Sequence, residues 1–316
     1  MNKKFKDKKF LITGGTGFLG QALVKKLKLL NCKNIFIVRH KKYNLVYEKN
    51  VKHLYQKYKP DIVFHLAAAV GGIGINEKSP GKFFYENAMI NLNVIHNAYL
   101  HKVEKIISTG SVSSYPAKTP LPFNEKNLWQ GYPEEINSSY GIAKRIIHTH
   151  SLSYFKQYKF KSILILLTNL YGPKDNFNPD TSHVIAALIK KFYEGKINKK
   201  LFVEVWGDGN TTRDFCYVDD IVDGIISVAK KYKKISPLNL GSGKEVSIRI
   251  LANLIKTEVG FKGKIKWIKN KPTGPKRRYL SIVKANSEIG FNPKISIREG
   301  LKKTISWYVE NNKFIK

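Results

Sequence analysis

Residues 9–20, KFLITGGTGFLG, place a short apolar run directly before Gly14, Gly17 and Gly20, and helix-type sequence follows. Glycines at such a junction let the chain turn tightly and let another group approach the backbone. The helix that opens there offers free N–H groups and the positive end of its dipole to an anion such as a pyrophosphate. A plain strand-to-helix turn could use the same glycines, so the GxxGxxG spacing is weak by itself. The rest of the first half gives it context. NIFIVR (34–39), DIVFHLA (61–67), KIISTGS (105–111) and SILILLT (162–168) are too short for helices, and most are rich in Ile, Leu, Val and Phe. Helical stretches such as 17–30 and 83–101 lie between them.

This alternation predicts an α/β fold, a Rossmann-type doubly wound parallel sheet. Beyond residue 170 the runs FVEVW, RDFCYV and PLNLGSG are short, with Pro and Gly clustered between them. A smaller C-terminal α/β substrate domain is expected there. The expected division is 1–170 plus roughly 215–243 for the nucleotide-binding domain, and 171–214 with 244–316 for the second.

The 316-residue chain is long enough for such an arrangement, and no run approaches the roughly 20 apolar residues that span a bilayer. The basic N-terminus leads into an apolar run that soon turns into glycines, which reads as a strand rather than a secretory signal. Cys32 and Cys216 are the two cysteines and suggest neither a disulfide framework nor a zinc site. The formal charge of +33 comes from lysines scattered along the whole chain, without a basic-aromatic nucleic-acid module. The expectation is a cytoplasmic protein with no metal, nucleic-acid or membrane partner, whose charge draws anionic substrates towards a cleft.

The second strand bears on the cofactor. An Asp or Glu about 20 residues past the glycines would bond a ribose 2′-OH. Here Arg39 stands 19 positions after Gly20, followed by His40, Lys41 and Lys42. A guanidinium can bind a 2′-phosphate bidentately where a carboxylate would repel it, so NADPH/NADP is expected. A solvated basic loop is the plainer alternative.

SSYGIAK carries Tyr140 and Lys144, four apart and therefore on one helix face. A nearby ammonium favours phenolate, so the Tyr140 pKa is expected to move from about 10 towards neutrality. Tyr140 would donate the proton as hydride reaches a carbonyl, and Lys144 would hold the nicotinamide ribose. Tyr-x-x-x-Lys arises by chance in many helices. Here it follows, by about thirty residues, a TGS read as the end of a fifth strand. Ser111 closes that strand and can steady the developing alkoxide.

Together, Ser111, Tyr140, Lys144 and the glycine motif resemble the extended short-chain dehydrogenases/reductases that act on nucleotide sugars. The segments 65–98, 168–189 and 203–221, including AVGGI and NFNPDTSHVI, are more specific and resemble the GDP-L-fucose synthase family over nearly the whole chain, less closely in the C-terminal third. The resemblance implies an NADPH-dependent 3,5-epimerase and 4-reductase of a GDP-4-keto-6-deoxy sugar. It also implies a homodimer formed through helices near 83–101 and 138–158, and a place in capsule or lipopolysaccharide sugar supply. In its light, cofactor contacts are expected from Gly14, Thr16, Gly17, Phe18, Leu19, Gly20, Arg39, Ala67, Ala68, Ala69, Thr109, Tyr140, Lys144, Leu167, Asn169, Leu170 and His183. His183 would be an epimerisation acid; a helix-capping histidine is the plainer reading. Asn169 would contact substrate or cofactor. Trp206 and Arg213 would hold the GDP portion, and Lys191 stands where the family tends to have an arginine.

Two departures from the family bear on the reaction. The family's epimerisation base is a cysteine two residues after the catalytic serine, and Ser113 occupies that position. A thiol near pKa 8.5 can supply thiolate, whereas a serine hydroxyl is a far weaker acid. Ser281 falls about where the family shows an aspartate, so guanosine or ribose recognition is expected to differ. Three readings remain open. The favoured one is a C4-keto reductase of a GDP-4-keto-6-deoxy hexose or heptose that has lost epimerisation. The others are a full synthase using Ser113 and His183, and a non-catalytic NADP-binding regulator.

Overall fold

The computed structural model describes residues 4–69, 79–179, 181–270 and 274–312. Strands β1 (Phe10–Thr13), β2 (Ile35–Val38), β3 (Ile62–His65), β4 (Lys105–Ser111), β5 (Ser162–Leu167) and β10 (Leu238–Leu240) form a six-stranded sheet in the order β10–β5–β4–β3–β1–β2, parallel throughout. The strand ending at Ser111 is therefore fourth in chain order, not fifth. Among the described residues only three strands precede it.

The continuous apolar strands are explained by burial on both faces, since successive side chains point to opposite sides. In β5, Ile163, Ile165 and Leu167 pack with helices α1 (Phe18–Leu29), α6 (Val218–Lys231) and α8 (Val283–Ile289). Leu164 and Leu166 face the other layer, α2 (Glu48–Tyr58), α3 (Pro80–Leu100) and α4 (Ser138–Tyr158). Such a sheet leaves all its strands' carboxyl ends at one edge, which is where ligands bind in this architecture.

Helix α3 begins three residues earlier than the expected 83, because Pro80 fits the first helical turn, where its missing N–H costs nothing. It also buries Asn87, Asn91, Asn93 and Asn97. Buried amides are tolerated when hydrogen-bonded, and here they pin loops to the helix. Asn87 both accepts from the Ala69 N–H and donates to the Ala69 carbonyl, and Asn93 donates to the carbonyls of Leu45 and Val46. The expected cofactor edge at Ala67–Ala69 is thus held from behind by the helix. Most of AVGGI lies within 70–78, outside the described residues.

A third apolar cluster joins α5 (Val184–Ile197), α7 (Ile248–Val259) and α9 (Ile297–Asn311) to a parallel pair, β7 (Phe202–Trp206) and β12 (Lys264–Ile268). Two further pairs complete the strands among the described residues. These are β6 (Asn169–Tyr171) with β9 (Phe215–Tyr217), parallel, and β8 (Thr212–Arg213) with β11 (Val246–Ser247), antiparallel.

Leu164 is fully buried in the central sheet. Leu164→Ala is expected to lower stability by about 2–5 kcal/mol, through lost transfer energy and the cavity left behind, read as an earlier midpoint in denaturant unfolding. A midpoint unchanged from the parent protein would contradict this packing.

Candidate active site

The glycine turn has the shape an anion site needs. Gly14 adopts φ +70°, and a Cβ there would lie 2.8 Å from the Ala67 nitrogen. A Cβ on Gly20 would overlap the Gly14 carbonyl oxygen. Gly17 occupies the N-cap position of α1 and offers no side chain, and the first turn, with Phe18 and Leu19, holds no acidic residue. The helix N-terminus is therefore left for an external anion. Thr16 is exposed in the turn, Ala67, Ala68 and Ala69 line the end of β3, and Arg39 is exposed just past β2. This cradle fits a dinucleotide diphosphate.

Ser111, Tyr140 and Lys144 gather at the carboxyl end of β4. Ser111 caps a single 3₁₀ turn, Val112–Ser114, and its Oγ accepts from the Ser113 N–H at 3.2 Å. The start of α4 packs against this turn so closely that a Cβ on Gly141 would sit 2.6 Å from the Ser113 carbonyl oxygen. Lys144 is 1% exposed, and its Nζ lies 5.8 Å from the centre of the Tyr140 ring. No carboxylate partners that ammonium among the described residues, and burial lowers its pKa to about 8.

One electrostatic expectation is overturned. Burial raises the Tyr140 pKa to about 12 instead of the ammonium lowering it towards neutrality. Desolvation of the phenolate outweighs the attraction of an ammonium that is itself buried and readily neutralised. A phenol held protonated is the form a reduction requires, because the product oxygen must gain a proton.

Ser113 meets Arg278, and Arg278 in turn meets Glu134, two residues that the sequence did not reveal. Arg278 Nη1 donates to Ser113 Oγ at 3.4 Å, and its Nη2 donates to Glu134 at 3.0 Å. Arg213 Nη1 donates to the carbonyls of Thr212 and Pro275, and its pKa is lowered to about 10 by burial, with the Arg278 charge adding to the effect. Two largely buried guanidiniums thus share Glu134 as a nearby carboxylate, an imbalance that favours an anionic ligand. The neighbouring Asp214 is fully buried and accepts from the Ser242 N–H at 2.9 Å and the Ser242 hydroxyl at 2.7 Å.

His183 stands at the N-cap of α5, and its side chain makes no capping hydrogen bond. It is exposed, though enough protein surrounds it to depress its pKa by desolvation. Thr109 and Leu167 are buried at the ends of β4 and β5. Asn169 and Leu170 follow on β6, with Asn169 donating to the Asp214 carbonyl. Lys191 lies over the Trp206 ring at 5.7 Å, and Trp206 is 55% exposed at the end of β7. The Ser281 N–H donates to the Phe123 carbonyl, and the Asn239 side-chain amide donates to the Ser281 carbonyl. Asp175, in the loop before His183, has a carboxyl raised to about 7 by burial and an oxygen without a hydrogen-bond partner among the described residues.

Arg278 and Glu134 are far from Ser113 in sequence and belong to no short motif. The available signals were weak: Arg278 lies three residues before Ser281, and Glu134 lies shortly before SSYGIAK.

Residues 10–241 match the NAD dependent epimerase/dehydratase family. GDP-L-fucose synthase 1 of Arabidopsis thaliana is 39% identical over 306 residues, 97% of this chain and 94% of that protein. The chain belongs to the GDP-L-fucose synthase family. Two solved structures are also similar to this family member. A GDP-L-fucose synthetase from Naegleria fowleri bound to NADP has a TM-score of 0.92 at 29% identity, covering 99% of this chain and 96% of that one. A GDP-6-OMe-4-keto-L-xylo-heptose reductase from C. jejuni has a TM-score of 0.92 at 30% identity, covering 98% and 100%.

For this family member, Lys144 rather than Tyr140 is the first group of the pair to lose its proton as pH rises. The rate of NADPH-dependent reduction is expected to fall as pH passes about 8, and Lys144→Met should remove that inflection from what activity remains. An unchanged inflection in the variant would assign it to another group.

Proposed function

We infer that this chain is an NADPH-dependent oxidoreductase that reduces the C4 ketone of a GDP-linked 4-keto-6-deoxy hexose or heptose, without epimerising C3 or C5. The observation that carries this reading is a contrast within one turn. Ser111 stands at the strand end with Tyr140 and Lys144 on the adjoining helix, while Ser113 Oγ is met by a guanidinium. An arginine can only donate, and no carboxylate or imidazole bonds to Ser113 Oγ among the described residues. An alkyl hydroxyl without a base is a poor group to abstract a carbon-bound proton.

The chemistry supplied by bound NADPH is a hydride for C4. Ser111 would hydrogen-bond the ketone oxygen as negative charge develops there, and Tyr140 would transfer its phenolic proton to that oxygen. The Lys144 ammonium would hold the ribose hydroxyls and stabilise the phenolate left behind. Gly14, Gly17, Gly20 and Arg39 would hold the cofactor phosphates. Arg213, Trp206 and Lys191 would hold the GDP portion, with Arg278 near Arg213. The expected division, 1–170 plus roughly 215–243 against 171–214 with 244–316, would give cofactor and GDP-sugar separate units, with α8 as an exception that packs on the central sheet. The related C. jejuni protein, named as a GDP-6-OMe-4-keto-L-xylo-heptose reductase, supports a GDP-linked 4-keto sugar, while the 6-deoxy feature rests on the family resemblance.

A full epimerase-reductase is the second reading, favoured by the family name and by a His183 ring that caps nothing. The intact trio speaks against a non-catalytic regulator. Helices α3 and α4 expose Tyr85, Leu100, Leu152 and Tyr158, which supports a homodimer through these helices. Among the described residues no helix is long and apolar enough to cross a membrane. A cytoplasmic place in capsule or lipopolysaccharide sugar supply belongs to the same proposal.

Incubation with NADPH and GDP-4-keto-6-deoxy hexoses and heptoses in D2O should give C4 alcohols without deuterium at C3 or C5. Substantial exchange would defeat the reductase-only reading, and reduction of no GDP-4-keto sugar would defeat both. Ser113→Cys is expected to introduce measurable exchange. Tyr140→Phe should lower kcat by about 100-fold or more, the loss typical of removing a general acid, with NADPH affinity retained.

A further inference from the structure

A single line of hydrogen bonds joins the glycine turn to the helix bearing Tyr140 and Lys144, and it runs through a fully buried histidine. His65 Nδ1 lies 2.7 Å from Thr13 Oγ1, and its Nε2 lies 3.0 Å from Asn91 Oδ1. Asn91 Nδ2 donates to the Ala143 carbonyl at 2.9 Å, one residue before Lys144. At the other end, the Ala67 N–H donates to Thr13 Oγ1 at 3.3 Å.

Every proton in this line can be placed. A carbonyl only accepts, so Asn91 must turn its NH2 to Ala143 and offer its oxygen to His65. Nε2 of His65 therefore carries the hydrogen, and Nδ1 presents a lone pair. The Thr13 hydroxyl must donate to that lone pair, which leaves its oxygen to accept from Ala67. Thr109 Oγ1 donates to the His65 carbonyl at 3.2 Å and fastens β3 to β4 behind the ring. The imidazole works in its neutral form, and burial together with the Lys144 charge keeps it so.

Each end of the line meets a part of the site. Thr13 directly precedes Gly14, whose α-carbon leaves no room for a side chain against Ala67. Ala143 is flanked by Lys144, and Arg145 on the far side donates to the carbonyls of Ser114 and Gly131. The backbone on both sides of the buried lysine is thereby tied down.

We propose that His65 is a positioning residue with two separable arms. Through Thr13 it fixes the cofactor turn, and through Asn91 it fixes the Lys144 ammonium against Tyr140. It touches neither ligand, and it rests on the reading of this chain as an NADPH-dependent reductase only for the second arm.

The arms separate with isosteric replacements. His65→Asn keeps an acceptor near Nδ1 but cannot reach Asn91. His65→Gln keeps a donor near Nε2 but loses the acceptor for Thr13. NADPH affinity is read by fluorescence titration, which needs no sugar, and kcat with a GDP-4-keto-6-deoxy sugar that the parent protein turns over. His65→Asn should leave the NADPH Kd within about twofold and lower kcat by about tenfold or more. His65→Gln should raise the NADPH Kd by about fivefold or more and leave kcat within about threefold. Any other pattern in folded variants, including equal losses of both constants, overturns the proposal. Should the histidine variants not fold, Thr13→Val should weaken NADPH binding and Thr13→Ser should restore it; equal binding by these two also overturns it. A parent protein that binds NADPH but reduces no GDP-4-keto sugar defeats the functional reading and leaves the Thr13 arm testable.

Discussion

An ammonium held inside the protein without a carboxylate beside it is the constraint around which the site is arranged. Lys144 is 1% exposed, and desolvation brings its pKa down to about 8. Burying such a charge is costly unless it is compensated, and a flexible lysine would swing towards water if its backbone allowed. The backbone around it is held on both sides. Asn91 holds the carbonyl before it, the Arg145 side chain reaches from the residue after it to two loop carbonyls, and Gly141 lets the helix sit directly on the Ser113 turn. The helix on either side of Lys144 is thereby tied down, with its Nζ 5.8 Å from the centre of the Tyr140 ring.

The parallel sheet explains why so few residues suffice. With both faces covered, its strand ends share one edge, and the turns after β1, β3 and β4 bring Gly14, Ala67 and Ser111 to it. The chain beyond β5 then adds what the sheet cannot supply. Arg213, Arg278 and His183 come from segments outside the six sheet strands, and the two arginines leave positive charge in excess of Glu134. The residues that carry a buried proton, Tyr140 and Lys144, thus lie on one helix, while the paired guanidiniums come from later segments of the chain.

Reading the chain in order captured those parts whose geometry is local. Gly14, Gly17 and Gly20 lie within one turn, and Tyr140 and Lys144 within one helical turn, so sequence spacing translates directly into space. The buried strands were legible because a sheet covered on both sides needs uninterrupted apolar runs. Arg278 escaped notice because it meets Ser113 across 165 residues of chain. The polar work of α3 was also hidden, since Asn87, Asn91 and Asn93 look like ordinary helix-surface residues until their loop partners are known.

The sequence by itself determined the sheet and its alternation with helices, the glycine turn, and the spacing that sets Tyr140 and Lys144 on one helix face after Ser111. Strand periodicity and helical spacing are short-range rules. Only the tertiary structure decided what those groups are chemically. Tyr140 is kept a phenol near pKa 12, Lys144 is poised near 8, His65 is held neutral, and Ser113 is paired with an arginine. Desolvation and charge act through space, so a residue's proton affinity belongs to the neighbours that folding brings to it.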